Sequence, residues 1–109
     1  MYSWDNAMKL PLLALGAIGV VSVASHWVGP EMNAMVAAFR AGDVDTARHL
    51  NQDMLESFEF EAGLDSPNPI PTKAMLRVLG LRVGHCRSPM VGEPPDLEDR
   101  ARAVLDGLG

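Results

Sequence analysis

The sequence predicts an α/β fold that is mostly helical in this chain, and three features carry that reading. The first is Gly19-Val20-Val21-Ser22-Val23, apolar except for Ser22 and without period-two alternation, as in a strand covered on both faces. The second is the order helix, glycine turn, strand from Met8 to Val23, which is the αβ half of a βαβ unit. The third is that the chain beyond Gly29 repeats apolar residues at helical spacing. A lone parallel strand cannot satisfy its own backbone donors and acceptors, so other strands are required. The one preceding the first helix is expected before Met1.

The 109 residues suffice for one small domain with a core. They fall well short of the roughly 250 residues of a closed eight-stranded α/β barrel. A net charge of -5 argues against a polyanion partner, so no nucleic acid is expected. Cys86 is the only cysteine, which excludes an internal disulfide and a thiolate metal cluster and makes the cytoplasm the default compartment. Leu10 to Pro30 contains no Asp, Glu, Lys or Arg, and with the charge of Lys9 in front it imitates a signal peptide or membrane span. Pro11, Gly16, Gly19 and His26 interrupt it, and Asp5 stands where a basic leader is needed. A helix, a turn and a buried strand explain the same residues, so no membrane is expected.

Ser3, Asp5 and Asn6 are N-cap types, and Met8, Leu12, Leu13 and Leu15 make a short apolar helix. Pro11 is tolerable only if it lies within the first turn or kinks the segment, and Gly16 stops the helix. After the strand, Gly29-Pro30 places a proline at the first position of a new helix. Met32, Met35, Val36 and Phe39 give that helix one buried face, and Gly42 ends it. Asp43 caps a longer helix to about Glu61, with Val44, Ala47, Leu50, Met54, Leu55 and Phe58 as its stripe. Ala62 to Pro71 is a turn-rich connection, stiffened by Pro67-Asn68-Pro69-Ile70-Pro71. Pro71 opens a helix through Ala74, Met75, Val78 and Leu79 to Gly80. Leu81 to Pro95 reads as irregular, and Asp96 caps a last helix carrying Leu97, Ala101, Val104, Leu105 and Leu108.

Few residues carry chemistry. His26, His49 and His85 lie in three different elements without ligand spacing, so no metal is expected, and no phosphate-binding glycine motif implies a cofactor. Cys86 reads as an ordinary thiol, and Ser22 lies outside any nucleophile elbow. Lys73 reads as a partly exposed helix residue rather than a Schiff-base amine. In parallel α/β folds the ligand sits beyond the carboxyl ends of strands. That directs attention to Ser3-Trp4-Asp5-Asn6 and to Ser22-Val23-Ala24-Ser25-His26, two small polar stretches that suggest a pocket wall.

Tyr2-Ser3-Trp4-Asp5-Asn6, Gly19-Val20-Val21-Ser22-Val23, Asn68-Pro69-Ile70-Pro71 with Lys73, and Leu79-Gly80-Leu81 together resemble the C-terminal part of a 4-hydroxy-tetrahydrodipicolinate synthase. The resemblance covers nearly the whole chain but about the last third of such an enzyme. It implies the end of a (β/α)8 TIM barrel in residues 1–42, with the seventh helix, eighth strand and eighth helix. A three-helix C-terminal extension would follow in residues 43–109. It implies a class I aldolase of lysine biosynthesis that binds pyruvate as a Schiff base, condenses it with aspartate semialdehyde without metal, and assembles as a homotetramer. It implies that Trp4, Asp5, Val21 and Ser22 line the substrate pocket, with the Val21 carbonyl facing the catalytic lysine. The family's Schiff-base lysine and catalytic tyrosines have no counterpart in this chain, which alone is expected to be inactive. Trp4 stands where the family usually has glycine, adding more than about 100 Å2 of side chain beside a three-carbon acid.

Two other readings compete with a fragment of this lyase. A non-enzymatic helical interaction module, or remnant, predicts a chain that folds and melts cooperatively by itself. A related aldolase acting on another 2-oxo acid is the third reading, and Trp4 supports it.

Overall fold

A computed structural model of the chain describes residues 1–63 and 66–108. It divides into two compact units, Met1–Phe58 and Glu59–Gly109. In the first, β1 (Tyr2–Ser3) and β2 (Gly19–Val20) run parallel, with Tyr2 opposite Gly19 and Ser3 opposite Val20. Helix α1 (Lys9–Ala14) is the crossover between them. A parallel partner strand is thus present at Tyr2–Ser3, which corrects the expectation that it lies before Met1. Two paired residues are too few to show an alternating pattern.

The strand expected over Gly19–Val23 is also shorter than read. It stops after Val20, both of its residues are half-buried, and Val21 is 44% exposed. A ladder lasts only while both chains stay side by side. The Asp5 carboxylate accepts the amides of Ala7 at 2.8 Å and Met8 at 3.3 Å, and this turn carries the first chain out of the sheet. Among the described residues β2 has β1 as its single strand neighbour, so a stretch suited to burial on both faces stays partly open.

Helix α1 keeps Pro11 within its first turn, where the missing N-H costs nothing, and Gly16 follows at φ +94°. It starts later than the capping residues suggested, at Lys9, and Leu15 of the expected stripe is exposed. Helix α2 (Ser25–Arg40) starts five residues before Pro30 and kinks at Val28, whose φ of -117° and ψ of 28° are not helical. The start is set by Ser22, whose hydroxyl accepts the Ser25 amide at 3.0 Å while its carbonyl accepts the Ser25 hydroxyl at 3.1 Å. The kink has its cause in Pro30, which cannot donate to the preceding turn. Met32 and Met35 are buried as expected, and Val36 and Phe39 are half-buried.

Gly42 at φ +83° ends α2, and the Asp43 carboxylate accepts the Thr46 amide at 3.1 Å to start α3 (Val44–Asp53), which packs on α2. The hydrogen bonds from Thr46 hold the Asp43 carboxyl below its ordinary value. A side chain at a left-handed position is strained, so Gly42→Ala should destabilise the α2–α3 pair by about 1 kcal/mol. Chemical denaturation of the two proteins measures it, and equal midpoints would contradict the assigned conformation. The long helix expected to run to Glu61 is in fact two, because Met54 interrupts it before α4 (Leu55–Glu61). The Met54 amide is shared between the carbonyls of Leu50 at 3.3 Å and Asn51 at 3.2 Å, a tightened last turn. Ala47, Met54 and Phe58 of the expected stripe are buried, whereas Val44 and Leu55 are exposed.

In the second unit, α5 (Ile70–Val78) packs on α6 (Leu97–Gly107) through buried Ala74, Met75, Leu97 and Ala101. Leu64 and Asp65 of the turn-rich connection lie outside the described residues. Pro71 sits at the helix start as read, while Leu79 is exposed. Asp96 precedes α6, but its carboxylate makes no capping hydrogen bond, so the expected cap is not formed.

Leu81 to Pro95 is irregular, as its prolines require, and α5 holds it by side chains. Lys73 Nζ donates to the His85 carbonyl at 3.1 Å, and Arg77 Nη1 donates to the Gly84 carbonyl at 2.8 Å. Arg77 also donates through Nε to Glu98 at 2.8 Å and through Nη2 to Glu93. Burial works to lower the Arg77 pKa, and the hydrogen bonds to Glu98 and Glu93 overcome it, leaving it raised. The hydrogen bond from Arg77 holds the Glu98 carboxyl below its ordinary 4.5. A depressed carboxyl adds stability above its unfolded pKa and loses it as pH falls through the folded value. The second unit should therefore weaken as pH drops below about 4.5. An acid titration of α-helical circular dichroism checks this, and Glu98→Gln should remove that part of the pH dependence.

Candidate functional site

Because β1 and β2 are parallel, the segments that follow them leave the sheet at the same end. Trp4-Asp5-Asn6 and Val21-Ser22 therefore become neighbours although 16 residues separate Asn6 from Ser22. Ser22 Oγ donates to Asn6 Oδ1 at 2.7 Å and joins the two segments directly. The fully buried Ser3 donates its hydroxyl to the Asp5 carbonyl at 3.0 Å, which shapes the exit from β1. The Val21 amide donates to the Ser3 carbonyl at 2.8 Å and extends the ladder by one bond.

Of the four pocket residues read from the resemblance, these contacts join Val21 and Ser22 to the end of β1. Trp4 lies at the same end and is 73% exposed. Asp5 uses its carboxylate on the Ala7 and Met8 amides, so its visible part is in shaping the turn. Beside Ser22, a groove of about 230 Å3 runs along β2 and α2 between Val20, Ser25, Met32 and Asn33. Its lining is mostly apolar, with Val20, Met32 and Val36 beside the polar Ser22, Ser25 and Asn33.

One residue that sequence reasoning left out of the site completes the arrangement. Lys9, at the start of α1, is fully buried, and its Nζ donates to the Val21 carbonyl at 2.8 Å. Asn6 is buried as well and accepts from Ser22. A signal for Lys9 was available: it stands four residues before Leu13, on the buried face of a helix in which no other residue is charged.

The remaining candidates stay apart. His26, His49 and His85 are all exposed, and no three His, Cys, Asp or Glu among the described residues stand close enough to hold a metal ion. The His49 Nδ1–H donates to the Asp45 carbonyl at 2.8 Å, and His85 Nδ1 lies 3.2 Å from Glu93. Half-buried Cys86 borders a cavity of about 370 Å3 in the second unit, beside Ile70 and Met90. Lys73 is half-buried and engaged with the His85 carbonyl. Among the described residues no helix is long and apolar enough to cross a membrane.

Residues 1–106 match the Dihydrodipicolinate synthetase family. Among curated relatives, a 4-hydroxy-tetrahydrodipicolinate synthase of a Cyanothece species is 43% identical over 99% of this chain. One from Listeria monocytogenes is 42% identical over 99% of it. The chain spans 36% of the length of each of these relatives. The solved structure of the synthase from Cyanidioschyzon merolae with lysine bound superposes with a TM-score of 0.91 at 40% identity, covering 99% of this chain and 36% of that one. The dihydrodipicolinate synthase of Thermotoga maritima gives 0.90 at 26% identity, covering 99% and 36%.

Proposed function

The chain belongs to the Dihydrodipicolinate synthetase family, and from that premise we propose that it is the C-terminal segment of a lyase resembling 4-hydroxy-tetrahydrodipicolinate synthase. In this reading residues 1–42 close a (β/α)8 barrel and residues 43–109 form its helical extension. The complete protein condenses pyruvate with aspartate semialdehyde through a Schiff base, needs no metal, and assembles as a homotetramer. The observation that carries the reading is the meeting of Asn6, Val21 and Ser22 at the carboxyl ends of two parallel strands, where α/β barrels do their chemistry.

The segment contributes a wall and not a nucleophile. Its Val21 carbonyl points an acceptor toward the position of the reacting amine, Ser22 fixes the adjoining backbone, and Trp4 borders the entrance. The lysine that forms the imine belongs to the rest of the barrel, so the 109 residues alone turn over nothing. A chimera in which residues 1–109 replace the matching stretch of the Listeria relative tests this. Borohydride should trap pyruvate covalently on the chimera and not on the 109-residue chain. A folded chimera that traps no 2-oxo acid would sink the proposal. A 109-residue chain that melts cooperatively at a discrete mass and binds no pyruvate would favour the helical-module reading.

Trp4 supports a second reading, a lyase for a different 2-oxo acid. A large exposed ring at the strand end takes space that a three-carbon acid leaves unused only if it swings clear. Trapping with a longer oxo acid in preference to pyruvate would select this reading.

A further inference from the structure

The ladder between β1 and β2 has a gap, and Lys9 fills it. With Ser3 opposite Val20, the Val21 amide bonds the Ser3 carbonyl, and the next donor in a parallel ladder is the amide of residue 5, which belongs on the Val21 carbonyl. The backbone has already turned at Asp5, and Lys9 Nζ stands 2.8 Å from the Val21 oxygen instead. Lys9 is fully buried, and burying an amine is costly unless it is hydrogen-bonded, so its place in the fold depends on these contacts.

We propose that Lys9 is a positioning residue for the pocket: its amine replaces the missing ladder donor and holds the Val21 carbonyl in place. This rests on the reading above, in which that carbonyl faces the reacting amine of the complete barrel. A carbonyl oxygen has two acceptor sites. Lys9 occupies one and leaves the other aimed at the amine that attacks the oxo acid. Asn6 and Ser22 continue the same restraint on the next residue through their 2.7 Å bond. Lys9 touches neither substrate nor reacting atoms and acts on the chemistry through the Val21 carbonyl.

The test compares the chimera bearing the wild-type segment with Lys9→Met and Lys9→Arg. Methionine keeps the volume and apolar stem, so the fold is retained while the donor is lost. Lys9→Met should slow formation of the borohydride-trapped pyruvate adduct about tenfold, because a Val21 carbonyl without that restraint orients the reacting amine less well, while KM and the melting temperature stay close to wild type. Lys9→Arg, which keeps a donor, should recover most of the rate. Equal adduct rates in wild type and Lys9→Met overturn the proposal. A folded wild-type chimera without any adduct brings down the functional reading instead. The 13C resonance of the Val21 carbonyl then decides the role of Lys9 by itself. It should move upfield in Lys9→Met and stay in Lys9→Arg, and an unmoved resonance in Lys9→Met overturns the proposal.

Discussion

Trp4→Gly in the chimera is expected to raise kcat/KM for pyruvate by about ten- to a hundredfold, the range that a change of pocket shape gives. Trp4 follows the carboxyl end of β1, largely exposed, two residues before the Asn6 that bonds Ser22 beside the proposed pocket. A tryptophan brings about 200 Å2 of rigid surface. Beside a three-carbon acid, that surface either excludes the substrate or shapes the pocket for a larger one. Folding should change little, because an exposed ring contributes little burial, and glycine at the end of a two-residue strand costs under about 1 kcal/mol. The informative comparison is between pyruvate and a longer 2-oxo acid in both proteins. If glycine improves pyruvate and weakens the longer acid, Trp4 sets specificity. If both kcat/KM values stay within about threefold, the ring lies outside the pocket and the reading of an altered substrate is lost.

What could be read in the sequence was what local chemistry determines. Gly42 and Asp43 announce a helix end and a helix start through φ and a carboxylate, and both perform those parts in the structure. Pro71 at a helix start and the irregular stretch to Pro95 follow from the same local rules. The extent of β2 could not be read that way. Val21 and Val23 have the composition of a buried strand, but pairing depends on where the partner chain turns, and Asp5 decides that from another part of the sequence. Met54 likewise reads as an ordinary member of a helical stripe, and nothing in its neighbours marks the break. At the site, the family resemblance singled out Val21 and Ser22, whereas Lys9 passed as a flanking charge. A lysine is expected at the surface, and its burial becomes visible only once a carbonyl without a ladder partner is placed above it.

Arg77→Ala is expected to destabilise the second unit by about 2 to 3 kcal/mol, enough to remove its cooperative transition if it melts alone. The side chain is 14% exposed, Glu93 is 23% and Glu98 is 39%, so the network lies between a surface pair and a buried one. Alanine leaves three acceptors without their donor: Glu93, Glu98 and the Gly84 carbonyl. Of these Glu93 is the least exposed, and His85 at 3.2 Å is a weak substitute because the histidine is mostly in water. The irregular segment from Leu81 to Pro95 has few other restraints from α5, chiefly Lys73 on the His85 carbonyl, so it should loosen first. Amide exchange should therefore rise at Gly84 and His85 before it rises in the α5–α6 contact around Met75 and Leu97. Arg77→Lys, which keeps the charge but not the fork that reaches two carboxylates and a carbonyl, should recover less than half of the loss. If lysine restores full stability, charge alone holds the segment and the geometry of the fork is incidental. If alanine costs less than about 0.5 kcal/mol, the network is a surface pair in its energetics and the segment is held by Met90 and the prolines instead.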